Sequence, residues 1–361
     1  MGARSDNTNR KGSRSQSQNR LLNGHATTFF NSRLDAGNIG PNNKVVVQAS
    51  GGNVEFTAGG YKYHLFRGPG TFTVTVGGEA QVVAFGGGGS AGFFYGDGGG
   101  AGGLLLAPAY PLDAGSYTVA VGEGGAAPGA SPSGEVGAVG TASEFYPTPA
   151  GPGEGASNMY ARGGGGGGHK QAEPHPAPTS GFPWNPVSGT GSGGGQHNGS
   201  TPEIAPNFTS STQHPAVTVK AAGQGGDMPY YENGGSGGSG AGGGGETPGS
   251  FNAAYGGAGY GVPGFPGPVL YDGMPAPEQS SWGGTTWRDT LGPSGYVCGG
   301  GGGWRPLPAT PRSNGGGGVG GSGAPTSDVQ AINYTGSAGG AYAPPGSGAG
   351  ADGGVWIKYE A

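Results

Sequence analysis

The stretch CGGGGGWRPLPATPRSNGGGGVGGSGAP, Cys298 to Pro325, holds five consecutive glycines at 299–303 and four more at 315–318. Between them lie Trp304, Arg305 and three prolines. Taken alone it reads as a flexible linker, because glycine loses more backbone freedom on ordering than any other residue. It is not alone, however. Further tracts occur at 86–89, 98–100, 163–168, 193–195 and 242–245. Inserts of unequal length, rich in Pro, Ser, Thr and aromatics, separate them. Without a fixed period, neither a collagen triplet nor a regular solenoid is present.

Composition sharpens the question. The 361 residues include 92 Gly and 31 Pro, but only 10% are charged and 9% are aromatic. Leu, Ile and Met are too few for a conventional core of this size. Order has to come from backbone hydrogen bonding, with aromatics filling gaps. The polyproline-II conformation has three residues per turn, rises about 3.1 Å per residue and makes no internal hydrogen bonds. Its N–H and C=O groups point outward in three directions. Copies without side chains can therefore pack in a hexagonal lattice, backbone satisfying backbone. Each bond contributes only roughly 0.5–1.5 kcal/mol net, against about 1–2 kcal/mol of backbone entropy per residue. Such a bundle needs a β-structure to cap it.

That cap is legible. YKYHLF (61–66) alternates Tyr61, Tyr63 and Leu65 against Lys62, His64 and Phe66. GTFTVTV (70–76) puts Phe72, Val74 and Val76 on one face, with Gly68-Pro69-Gly70 read as a hairpin turn. GEAQVVAF and GSYTVAV continue the pattern. In GVWIKYE, Val355, Ile357 and Tyr359 oppose Trp356 and Lys358, and this last strand is expected to pair beside the early ones. No apolar stripe of helical period is seen. The expected fold is all-β plus polyglycine-II: strands near 44–85, 116–121 and 355–359 capping a glycine bundle, with essentially no α-helix.

Residues 1–43 read as a separate basic, polar arm and 44–361 as the body. The first 50 residues hold 7 of the 16 Lys+Arg and 2 of the 21 Asp+Glu. A basic arm on an acidic body suggests docking on a partner, and Arg4, Arg10, Lys11, Arg14 and Arg20 are the anchoring candidates. The single cysteine, Cys298, excludes an internal disulfide. No secretory h-region and no apolar run of about 18 residues is seen, so neither export by a signal peptide nor membrane insertion is expected.

The ordered phrases YKYHLFRGPGTFTVTV, VVAFGGGGSAG, YPLDAGSYTVAVGEGG, ARGGGGGG, GGSGGSGAGGGG, GGGGVGGSGA and GGVWIKY carry a resemblance. Over about residues 61–361 they resemble the glycine-rich domain of bacteriophage tail-fibre and related virion proteins. Some glycine-rich phage adhesins fold as sandwiches of polyglycine-II helices whose far loops contact the host receptor. The resemblance implies a virion surface protein assembled in the host cytoplasm. Its arm would bind other virion proteins and its loops a host receptor, a polysaccharide or an outer-membrane protein. Homotrimers are common among virion appendages, although no residue pattern here encodes one. No coiled coil or fibrous shaft is present, so a short spike, tip adhesin or decoration protein fits better than a long fibre.

Chemical motifs are weak. GGGGGGHKQ (163–171) displaces the P-loop lysine and lacks its hydroxyl. GGSGG (234–238) lacks the strand–turn–helix setting of a nucleophile elbow. His169, His175, His197 and His214 match no zinc spacing. Neither an enzyme, a metal nor a cofactor is expected. The receptor-binding candidates are aromatic: Trp184, Tyr230, Tyr231, Trp282, and the aromatic–cation pairs Trp287-Arg288 and Trp304-Arg305. The competing reading is that these rings plug the sides of the glycine bundle. Polyglycine-II ice-binding proteins and disordered glycine-rich matrix proteins share the composition. This chain lacks the flat Thr/Ala face of the former and has more strand pattern than the latter.

Overall fold

The computed structural model describes residues 46–93, 96–129, 136–152, 158–168, 196–197, 215–220, 227–228, 238, 240–245, 255–304, 316–318, 330–341 and 347–361. Those from Val47 onward belong to one unit, Val47–Ala361, and Val46 falls in the other, Met1–Val46. The Val47–Ala361 unit is mostly β-sheet.

One antiparallel sheet has five strands in the order β1 (Gln48–Ser50), β4 (Gly70–Val76), β7 (Gly115–Ala120), β8 (Ser143–Pro147) and β9 (Met159–Ala161). The other has six: β11 (Thr218–Lys220), β6 (Leu104–Leu112), β5 (Gly78–Phe85), β15 (Gly354–Glu360), β3 (Tyr61–Phe66) and β2 (Val54–Ala58). Two-residue pairs form between β10 (Gln196–His197) and β12 (Asp227–Met228), and between β13 (Tyr260–Gly261) and β14 (Tyr296–Val297). The last strand, β15, lies between β3 and β5, with Val355 opposite both Phe66 and Ala84.

Period-two alternation decides which side chains meet. Phe66, Val82, Ala84, Leu105, Val355, Ile357 and Tyr359 from the larger sheet share one buried cluster with Phe72, Val74, Tyr117, Val119 and Phe145 from the smaller. The two sheets therefore pack face to face. Tyr117 and Phe145 stack at 5.0 Å in that layer. The alternate residues Tyr63, Leu65, Val83, Phe85, Leu106 and Trp356 face outward into a second buried cluster. The larger sheet is thus covered on both faces, which is why VVAF and LLLA read as nearly continuous apolar runs.

Its outer cover is helical, against the expectation of essentially no α-helix. Three short helices, α1 (Gly267–Gly273), α2 (Ala276–Ser281) and α3 (Gly284–Leu291), bring Leu270, Trp287 and Leu291 onto the sheet. The prolines that made this segment look like an insert sit in the first turns of α1 and α2, where no N–H is required. Gly283, left-handed at φ 102°, precedes α3, and Trp287 and Leu291 share one face four residues apart.

Two other expectations change. Gly68-Pro69-Gly70 does not close a hairpin; β3 and β4 lie in different sheets, and the turn carries the chain between them. Strand β6 was hidden by Pro108 and Pro111. Past Leu106 its only strand partner among the described residues is β5, and an edge tolerates proline.

The glycine segments prolong the strands. From Gly86 to Gly92 seven successive N–H groups donate to three neighbours in rotation. Gly86, Gly89 and Gly92 bond Gly103, Gly100 and Asp97 at 3.0, 2.8 and 3.0 Å. Gly87 and Ser90 bond Thr141 and Ala138, both at 2.9 Å, while Gly88 and Ala91 bond Ala351 and Gly348 at 2.9 and 3.0 Å. The carbonyls of Gly87 and Ser90 accept from Gly164 and Gly167, that of Gly88 from Gly125, and that of Gly89 from Gly339. One backbone segment is thus hydrogen-bonded to six others, with a period of three residues. Gly299–Gly303 are buried in the same way. A methyl group on Gly301 would overlap the carbonyl of Gly339, and one on Gly88 the carbonyl of Ser337.

Candidate functional site

Connectivity gives the glycine region a far end. The chain leaves β5 at Phe85, runs out through Gly92 and returns from Asp97 to Gly103, where β6 begins. Of the described residues on this path, Gly92, Phe93 and Gly96 lie at the end away from the sheets. The N–H of Asp97 bonds the carbonyl of Gly168, and the N–H of Trp304 bonds that of Gly96 at 3.0 Å. Ala341 and Ser347 bridge each other one step beyond the Ala91–Gly348 bond. Gly92, Gly96, Asp97, Gly168, Trp304, Ala341 and Ser347, from several separate chain segments, thus meet at this end.

Trp304 closes this end, 6% exposed and packed with Ala91 and Ala341. Asp97, also buried, lies one residue from Gly96 and was not singled out from the sequence. A lone carboxylate inside FFYGDGGGAGG was the available signal.

The other described candidates lie elsewhere. Trp282 and Trp287 are buried against the outer face of the larger sheet, 5.2 Å apart ring to ring, with Trp356 6.2 Å from Trp287. Helices α2 and α3 turn them inward, so neither ring is available to a receptor, and the Trp287-Arg288 pair is split. Arg288 stays at the surface, where its guanidinium bonds Asp289 at 2.9 Å and lies over Tyr271. Trp304 is likewise covered by its neighbours. All three tryptophans are buried, Trp282 and Trp287 against the larger sheet rather than the glycine region and Trp304 at the end of that region. Trp184, Tyr230, Tyr231 and Arg305 lie outside the described residues, as do Arg4, Arg10, Lys11, Arg14 and Arg20.

Arg67 has a role that the sequence did not signal. It bonds Ser281 at 2.6 Å and Glu278 at 3.2 Å, and lies 5.8 and 5.6 Å from the rings of Trp282 and Tyr334. It fastens α2 to the end of β3.

A second polar cluster sits between the sheets, where β1 meets β2, β3 and β15. His64, buried, has Nδ1 2.6 Å from the Gly51 carbonyl and Nε2 2.8 Å from the Tyr359 hydroxyl. Glu55 bonds Lys62 at 2.6 Å and approaches His64 to 3.4 Å. Burial pushes the His64 pKa below its ordinary value, outweighing the upward effects of Gly51 and Glu55. Glu55 is pushed up by burial, but Lys62 and His64 more than offset this and hold it below the usual carboxylate range. Cys298 is buried, and burial raises its pKa, so its thiol stays protonated.

Among the described residues no group of three His, Cys, Asp or Glu side chains could hold a metal ion, and no helix is long and apolar enough to cross a membrane.

Paired sheets prolonged by a hydrogen-bonded glycine region define an all-β, glycine-rich class of protein. A family model described as a glycine-rich domain matches residues 64–275, more than half of the chain, and the chain belongs to that family. No curated protein matches it significantly.

Proposed function

We propose that this protein is a structural component of a bacteriophage virion, a short surface appendage such as a fibre, spike or tip adhesin. In this reading the arm of residues 1–43 docks on other virion proteins, and the body projects from the particle surface. The inserts between glycine segments face the host, where a surface polysaccharide or outer-membrane protein is the receptor.

The observation that carries it is that residues next to several inserts, Gly168, Trp304, Ala341 and Ser347, meet Gly96 and Asp97 at one end of the glycine region. Loops that vary freely on a fixed support are where recognition sites concentrate. The phrases quoted above, which resemble those of virion glycine-rich domains, suggest the setting. We read the support itself as a polyglycine-II lattice, because its hydrogen bonds repeat every third residue and reach six neighbours.

The test has two parts. A chain lacking residues 1–43 should fold but fail to enter particles, and normal incorporation would sink the anchoring role. The purified full-length chain should bind host cells, and replacing residues 169–195 with a short Gly-Ser linker should abolish that binding. A decoration protein with no receptor role is the second reading, favoured by the burial of Trp282, Trp287 and Trp304. It predicts particle incorporation without any cell binding.

A further inference from the structure

The end of the glycine region away from the sheets has a buried cluster of its own. Two larger clusters lie on the two faces of the larger sheet. The third holds Ala91, Trp304 and Ala341, which come from three separate chain segments. Ala91 is six residues past the end of β5, and Trp304 is seven past the end of β14. Ala341 bridges Ser347. All three members of the cluster are at most 6% exposed.

Backbone bonds tie the same segments together here. The N–H of Ala341 donates to the carbonyl of Gly302 at 2.8 Å, that of Gly348 to Gly340 at 2.9 Å and that of Ala91 to Gly348 at 3.0 Å. The N–H of Trp304 donates to the carbonyl of Gly96, also at 3.0 Å. Such bonds contribute little net, and glycine loses the most freedom on ordering, so a glycine segment tends to open from its end. Nearer the sheets the strands resist this, since Gly86 follows directly on β5 and Gly353 leads directly into β15. At the far end the indole takes that part. An aromatic ring brings a large apolar area, whereas the two alanines packed with it bring one methyl group each.

We propose that Trp304 is the positioning residue of this end. Its indole clasps three glycine segments together and so fixes where the flanking inserts join the glycine region, at Phe93 and Gly96, at Trp304, and at Ala341 and Ser347. The ring acts through its packing and needs no contact with a ligand. None of Ala91, Trp304 and Ala341 belongs to either sheet core, so the clasp can open while the sheets stay closed. That the inserts rooted here recognise a host rests on the function proposed above; that Trp304 holds their roots does not.

The test is amide hydrogen exchange, read residue by residue by NMR, on the full chain and on its variants Trp304→Ala and Trp304→Phe. In Trp304→Ala, protection at Ala91, Gly92, Asp97, Ala341 and Gly348 should fall about tenfold or more, while Gly86 to Gly88, β5 and β15 keep theirs. Trp304→Phe, which retains a ring, should recover most of the loss. No fall in Trp304→Ala, an equal fall throughout the body, or a chain that does not fold overturns the proposal, because each denies the ring a local role. So does a Phe variant that exchanges as fast as the Ala variant. Cell binding by the same chains separates the clasp from the receptor role. Loss of binding in Trp304→Ala, with recovery in Trp304→Phe, supports the link between the two; local opening with unchanged binding breaks it. A wild-type chain that binds no host cell overturns the receptor role, and hydrogen exchange still decides the clasp.

Discussion

The amide of Gly301 bonds the carbonyl of Gly99 at 3.0 Å, joining segments two hundred residues apart in the chain. Neither residue has a side chain to recognise the other. The contact exists because nothing stands between the two backbones, and the first prediction follows from that.

Gly301→Val should destabilise the body by more than about 3 kcal/mol, the upper range for forcing atoms into a packed interior, because its new side chain meets backbone that cannot move aside. Pro308→Ala, in the insert, should stay within about 0.5 kcal/mol. Thermal melts of the two variants compare them. A larger loss in Pro308→Ala would make the stretch a linker after all.

Trp287→Ala should cost about 3–5 kcal/mol, the usual penalty for emptying a buried indole site. Its signature is a lower melting temperature and loss of near-ultraviolet dichroism from the Trp282–Trp287–Trp356 group. Receptor contact by this residue predicts the reverse, impaired cell binding with unchanged stability.

Removing residues 354–361 should leave a chain that does not fold. β15 supplies the pairing partner for both β3 and β5 and places Val355 and Ile357 in one core and Trp356 in the other. A soluble truncation with native dichroism would contradict this placement.

Stability should fall with acidification in two stages. His64 has a lowered folded pKa, so the unfolded chain binds its proton more readily; stability is complete above about pH 6.5 and declines as pH falls below it. Glu55 is also lowered, and its contribution is complete above its unfolded value of 4.5 and declines below that. Both slopes have the same sign. Urea unfolding across this range should therefore show a first decline that His64→Phe removes and a second that it leaves.

Much of this architecture was legible. The alternation of Val355, Ile357 and Tyr359 against Trp356 and Lys358 is the division between the two cores, save that Lys358 turns to the Gly264 carbonyl. The glycine positions marked where backbones would approach. The segment 267–291 does not look helical along the sequence because its prolines, which usually mark loops, here stand in first turns of helices. Trp282 and Trp287 were misplaced for the same reason: once the helices form, the rings face the sheet. Ser and Gly around 51–53 gave no sign that His64 and Tyr359 would meet beneath them.

Local chemistry sets which residues alternate in strands and where a Cβ is not tolerated. These depend on a residue and its immediate neighbours. Which glycine segment lies beside which, why β15 sits in the middle of a sheet and that Trp282 and Trp287 are core are settled by tertiary packing. Backbone hydrogen bonds carry no side-chain identity, so pairing among near-identical glycine segments is set by the strands from which each one extends.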